Sequence, residues 1–188
     1  SVMTYDAPGE EEPASEWRAA DGTTLLVRPI QPGDAAREQA FVRALSPASR
    51  QLRFMDAVRE LKPRQLERFT HPDPARELAL VALRRDRREP DDQVAVARFA
   101  LDDRGACCEF AVVVADDWQR RGLGRHLMTR LIAAATARGL REIRGEVSAD
   151  NHGMLALARS LGFSTDAMPG DARLRRVSLA LGRQADCT

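Results

Sequence analysis

Apolar positions run or alternate in one part of the chain and recur at helical spacing in another. Residues 23–28 follow an Asp21-Gly22 turn signal, read as a strand and are closed by Pro29. Asp34 stands where an N-cap belongs for a helix running towards Leu45. Ser46-Pro47 begins a second helical stretch, continuing from Ser49 to Met55, since proline is at home in a first turn. A short helical piece covers residues 63–69. Three strand-type runs follow at 77–84, 93–101 and 107–114; the charged, turn-prone links at 85–92 and 102–105 suit antiparallel hairpins. Then the period changes. Leu127, Leu131, Ile132 and Ala135 recur at helical spacing within 123–137, and Gly139 stops that helix. Residues 140–147 read as a strand, 151–161 as a helix capped by Asn151 and ended by Gly162, and 173–181 as a last strand. The order predicts an α+β domain: a single mixed, mostly antiparallel sheet flanked by helices on both faces, with the early helices entering between its first two strands.

Residues 1–16 break this texture. They carry Asp6, Glu10, Glu11, Glu12 and Glu16 with Pro8 and Pro13 and almost no apolar content. Such a segment buries too little surface to offset its ordering entropy, so a disordered acidic tail is expected, with residues 17–188 forming a single domain. A formal net charge of +1 gives no reason to expect nucleic acid or an anionic membrane as partner. No apolar run approaches the roughly 20 residues of a membrane helix, and no signal-peptide pattern opens the chain. Cys107, Cys108 and Cys187 are odd in number and none sits in a metal spacing, which fits a reducing cytoplasm. His71, His126 and His152 are scattered, so no metal site is expected.

Gln119-Arg120-Arg121-Gly122-Leu123-Gly124 lies between the strand ending near Val114 and the helix that follows. A helix start offers free N–H groups and the positive end of the dipole, which suit a pyrophosphate. Gly122 and Gly124 carry no side chain to obstruct the approach of phosphates to the backbone, and Arg120, Arg121 and Arg125 add positive charge. A dinucleotide fingerprint would need a glycine where Leu127 stands, and the Gly-Lys-Ser/Thr of a P-loop is absent.

The Q-x-x-G-x-G spacing resembles motif A of the GNAT family of acetyltransferases. Asn151 to Phe163, an Asn-led helix ending in Gly-Phe, resembles the family's motif B, and the order of elements from Thr23 to Leu181 is similar. A narrower likeness joins Leu45-Ser46-Pro47-Ala48-Ser49-Arg50-Gln51-Leu52-Arg53-Phe54-Met55, Glu109 to Val114, and Asp116-Asp117-Trp118-Gln119 to the acetyltransferase domain of bacterial Pat-type protein lysine acetyltransferases. Those enzymes act on a lysine of acyl-CoA synthetases and usually carry a further large domain, of which this sequence has none. The resemblance implies acetyl-CoA as co-substrate, held by Gln119, Arg120, Arg121, Gly122, Leu123, Gly124 and Arg125 at the pyrophosphate and by the main chain of Val112 and Val114 along the pantetheine arm. Asn151 either holds the pantetheine or thioester region, as its family equivalent does, or is a bare N-cap.

An amine attacks a thioester only as the free base, and roughly one lysine in a thousand is neutral near pH 7, a deficit of about 4 kcal/mol. Glu109 is the candidate general base: it is the lone carboxylate in an apolar strand, where desolvation would raise its pKa, and it occupies the position of the glutamate base in Pat-like enzymes. Its alternative is a strand carboxylate facing solvent. Ala158 stands where many family members have a tyrosine acid, and Tyr5 is the only tyrosine. A thiol of pKa near 8.5 leaves without much help, and Ser160 is a secondary candidate. The expected function is acetylation of a protein lysine by direct attack. The alternatives are a small amine or protein N-terminus as acceptor, and a CoA-binding regulator without catalysis.

Overall fold

The computed structural model describes residues 12–49, 60–85 and 92–182. Eight strands among them form one sheet: β1 (Ser15–Arg18), β2 (Thr24–Pro29), β3 (Glu77–Arg84), β4 (Asp92–Leu101), β5 (Cys107–Val114), β6 (Glu142–Ser148), β7 (Ser164–Met168) and β8 (Asp171–Ala180). Their spatial order is β1-β2-β3-β4-β5-β6-β8-β7. Only β5 and β6 pair in parallel, because a helix lies between them in sequence and carries the chain back across the sheet. The expected mixed, mostly antiparallel sheet is what forms.

Among the described residues, besides the short helical run at 47–49, four helices flank it: α1 (Ala35–Ala44), α2 (Pro63–Thr70), α3 (Leu123–Ala137) and α4 (His152–Ser160). The two-residue strand period sends alternate side chains to opposite faces, and each face has its own core. On one, Leu123, Leu127, Met128 and Leu131 of α3 pack with Leu80, Ala97, Phe99 and Phe110. On the other, Phe41 and Val42 of α1 pack with Val81, Val96 and Val113. Helices therefore cover both faces, as expected. No described helix is long and apolar enough to cross a membrane.

Three elements depart from the sequence reading. Ser15 and Glu16, assigned above to the tail, open β1 and pair with Val27 and Leu26. Arg130 of α3 anchors that strand by donating to Ser15 Oγ (2.7 Å) and the Pro13 carbonyl (2.8 Å), partners invisible to local composition. Strand β7 was not anticipated, since four of its five residues are exposed and only its register with β8 makes it a strand. Asp34 does precede α1, but its carboxylate makes no cap bond; it accepts from Arg28 (2.7 and 2.8 Å), Arg37 (2.9 Å) and the Gln31 N–H (2.7 Å). Of the helical stretch expected after Pro47, only residues 47–49 lie within the described residues, and they are helical.

Candidate active site

Strands β5 and β6 pair at Cys107/Glu142, Cys108/Ile143 and Glu109/Arg144 and then part. Strand β6 continues against β8 as far as Ser148, while β5 keeps only β4 beside it. From Phe110 onward, β5 thus presents an edge inside the sheet, and backbone N–H and C=O groups left so need partners. The Phe110 ring fills the crotch. It lies against Gly145, where a Cβ would come within 2.6 Å of it, and meets Phe163 edge-on at 5.7 Å.

A cleft of about 560 Å³ opens along this unpaired edge. Val112, Val113 and Val114 form one wall, and Asn151, Met154 and Leu157 line it from the side of α4. Gln119, Arg120, Gly122, Gly124 and Arg125 contribute the turn that enters α3. Eight of the ten residues expected to hold the co-substrate therefore converge on one cavity. Trp118, Asp150, His152 and Gly153 also line it. Their neighbours in the sequence pointed to the region, but nothing in their own spacing did.

The turn has the backbone that anion binding requires. Arg120 (φ 62°) and Gly122 (φ 88°) both adopt the left-handed region, uncommon for a residue with a side chain. The helix's first hydrogen bond runs from the His126 N–H to the Gly122 carbonyl (3.1 Å), so the N–H groups of Leu123, Gly124 and Arg125 have no helical acceptor. Gln119 fastens the turn to the strand, donating from Nε2 to the Val114 carbonyl (3.0 Å). Asn151 Oδ1 accepts from the Met154 N–H (3.1 Å), so this residue is the cap of α4 while also lining the cleft.

Two of the expected residues send their side chains elsewhere. Arg121 points out of the cleft: it pairs with Asp21 (3.1 Å) and stacks on Trp118 with its Cζ 4.4 Å from the ring centroid. The hydrogen bonds of Thr23, with help from Arg121, hold the Asp21 carboxyl below its ordinary pKa. Leu123 is fully buried in the core under α3, so only its backbone N–H can serve the cleft. Arg125 Nη2 donates to Ser160 Oγ, and that hydroxyl donates in turn to the Leu157 carbonyl (2.7 Å).

Glu109 lies where the two strands part, but it is not desolvated as expected. It is the exposed residue of an otherwise covered strand, its side chain is 58% accessible, and Arg144 Nε stands 3.9 Å away. The reason is topological. Among the described residues, α1 and α2 reach β3, β4 and Val113 but do not cover the face at this end of β5. Burial pushes the Cys108 thiol up to about 12, and Cys107, also buried, is disulfide-bonded. Ala158 is fully buried. No cluster of metal-binding side chains occurs among the described residues.

The sequence pattern of the acetyltransferase (GNAT) family matches residues 41–163, which span the cleft and everything that builds it. The chain belongs to the GNAT family. It is accordingly an acyltransferase, and GNAT enzymes use acetyl-CoA. Acetyltransferase PA5475 of Pseudomonas aeruginosa is 36% identical over 152 residues, 81% of each chain. The crystal structure of the GNAT domain of S. lividans PAT superposes with a TM-score of 0.79 at 26% identity, covering 90% of this chain and 99% of that one. The [ribosomal protein bS18]-alanine N-acetyltransferase of Salmonella typhimurium is 39% identical over 77 residues, which are 39% of this chain and half of that enzyme.

Proposed function

We propose that this GNAT protein acetylates a lysine on the surface of another protein, with Glu109 as general base. One observation carries the reading: the unpaired edge of β5 joins the phosphate-type turn at one end to an accessible carboxylate at the other. At about 3.4 Å per residue, the five steps from Glu109 to Val114 span roughly 17 Å. An extended arm bearing amides can pair with this edge as an added strand does, its phosphates on the N–H groups of residues 123–125 and its thioester near Glu109. Arg120 and Arg125 supply charge, Gln119 and Asn151 fix the walls, and Val112 and Val114 offer main-chain partners.

Glu109 takes a proton from the acceptor ammonium, and the free amine attacks the thioester carbonyl carbon. The C–N bond forms, backbone N–H groups of β5 hold the oxyanion, the nitrogen gives up its second proton to water, and the C–S bond then breaks. The departing thiolate takes its proton from water, for Ala158 has none to give and the Ser160 hydroxyl is bonded to Leu157. Direct attack is favoured over an acetyl-cysteine because Cys108 is buried with a raised pKa and Cys107 is in a disulfide. The openness of Glu109 suits a side chain presented on a protein surface rather than a small amine enclosed by the enzyme. Likeness to the PAT domain makes a lysine of an acyl-CoA synthetase the first acceptor to try. A second reading, acetylation of a protein N-terminus, draws on the similarity to the bS18-alanine enzyme.

The test offers labelled acetyl-CoA with three acceptors: a folded acyl-CoA synthetase, a peptide with N-terminal alanine, and free polyamine. We expect the synthetase to be labelled fastest, and Glu109→Gln to lower kcat by roughly 10²–10⁴-fold with acetyl-CoA affinity little changed. Faster transfer to the peptide would replace lysine by the N-terminus, faster transfer to polyamine would remove the protein acceptor, and near-normal kcat in the variant would remove Glu109 as base.

A further inference from the structure

Two segments far apart in sequence meet at Asp116. Ser46 and Ser49 follow α1, on the face of the sheet that carries Glu109, Ala111 and Val113. Asp116 and Gln119 belong to the link from β5 to the phosphate-type turn. The Ser49 hydroxyl donates to Asp116 Oδ1 at 2.6 Å, and the Ser46 hydroxyl approaches the same oxygen at 3.2 Å. Asp116 Oδ2 accepts the Ser46 backbone N–H (3.2 Å), and the Ser49 N–H is bonded to Ser46 Oγ (3.3 Å). Gln119 Nε2, which donates to Val114, also reaches Ser49 Oγ at 3.2 Å. Ser49 is only 4% exposed although it is polar, so this network is its source of partners. One carboxylate thus accepts from a backbone N–H and two hydroxyls, the stronger, charge-assisted kind of hydrogen bond.

These contacts have a direction. Ligand phosphates on the N–H groups of residues 123–125 would hold the turn closed more of the time. Because Asp116 and Gln119 are part of the same connection, a steadier turn means a steadier carboxylate, and the Ser46–Ser49 segment rests on that carboxylate. We propose that Asp116 is a positioning residue for the transfer: it makes the acceptor-side segment settle when the co-substrate binds on the opposite face. The inference rests on the acetyl-CoA reading of the cleft. Ser46 and Ser49 fall in one of the two Pat-like stretches and Asp116 and Gln119 in the other, so the joint links residues of both.

The backbone amides of Ser46 and Ser49 are themselves bonded in the network, so their hydrogen exchange reports it directly. With CoA as the probe, exchange in the wild-type protein should slow at residues 122–125 and also, roughly threefold or more, at Ser46 and Ser49. In Asp116→Ala, and in the isosteric Asp116→Asn, slowing at the turn should persist while the CoA-dependent change at Ser46 and Ser49 disappears. A merely structural aspartate would speed exchange with and without CoA alike and leave the ratio unchanged. Slowing at the turn without any at Ser46 and Ser49 in the wild type, or its persistence there in both variants, overturns the proposal. Absence of slowing at the turn itself overturns the acetyl-CoA reading, and this inference with it.

Discussion

Gly122 and Gly124 stand two residues apart at the same helix start, yet the structure assigns them opposite sensitivities. Gly122 has φ 88°, and a Cβ there would come no closer than 3.8 Å to Trp17 Cζ2, so alanine meets no clash and only the backbone objects. The left-handed region is worth about 1–2 kcal/mol against an L-residue. For a domain of this size that lowers Tm by roughly 2–8 °C. Gly124 has an ordinary helical backbone, and its added Cβ would sit 3.5 Å from Leu157 Cδ2, a normal contact. Gly124→Ala should therefore leave Tm unchanged or raise it slightly, alanine being favoured over glycine in a helix by about 0.5–1 kcal/mol. That methyl enters the cleft beside the free N–H groups, however. Losing one charge-assisted bond to a phosphate, about 1.5–3 kcal/mol, weakens acetyl-CoA about tenfold to a hundredfold. Scanning calorimetry with titration calorimetry on both variants separates the two effects. Wild-type affinity in Gly124→Ala would show that the helix start does not hold phosphates, and an unaltered Tm in Gly122→Ala would refute the strain argument.

Arg121 and Arg125 should also divide. Arg121→Ala and Asp21→Asn should each change the acetyl-CoA KM less than about fivefold, as befits an exposed ion pair, whereas Arg125→Ala should raise it more and lose that effect in high salt; equal effects in steady-state kinetics at two salt concentrations would return Arg121 to the cleft. Asp34 predicts the acid limb of stability. Burial pushes its carboxyl up, but hydrogen bonds from Arg28 and Gln31 and the charges of Arg28 and Arg37 outweigh this and leave it below the ordinary value. A depressed folded pKa means the stabilisation is complete above the unfolded value near 4 and is lost as pH falls through the folded one. Calorimetry between pH 2 and 7 should show a shallower acid decline of Tm for Asp34→Asn than for the wild type, and parallel declines would contradict it.

Apolar period, together with cap, proline and turn signals, determined most of the strands and the helices α1 to α4, because burial on one face writes a period of two or of 3.6 into sequence and element ends select particular residues. It did not reveal β7, whose residues are mostly exposed and whose only reason to be extended is a partner strand, nor Ser15 and Glu16, held by Arg130 more than a hundred residues away. The turn from Gln119 to Gly124 was legible as a turn entering a helix because its backbone needs the left-handed region at Gly122, and glycine is the residue that records that need. Side-chain direction was not legible. Arg121 matches its arginine neighbours in the sequence, but Asp21, a hundred residues earlier and brought alongside by the sheet, claims it, with Trp118 from the same link beneath it. Glu109 reads as a carboxylate trapped in an apolar strand, while its exposure depends on how far α1 and α2 reach across the sheet. Adjacency along the chain fixes which groups are available. Which of them meet, and which face water, follows from long-range pairing that local sequence does not encode.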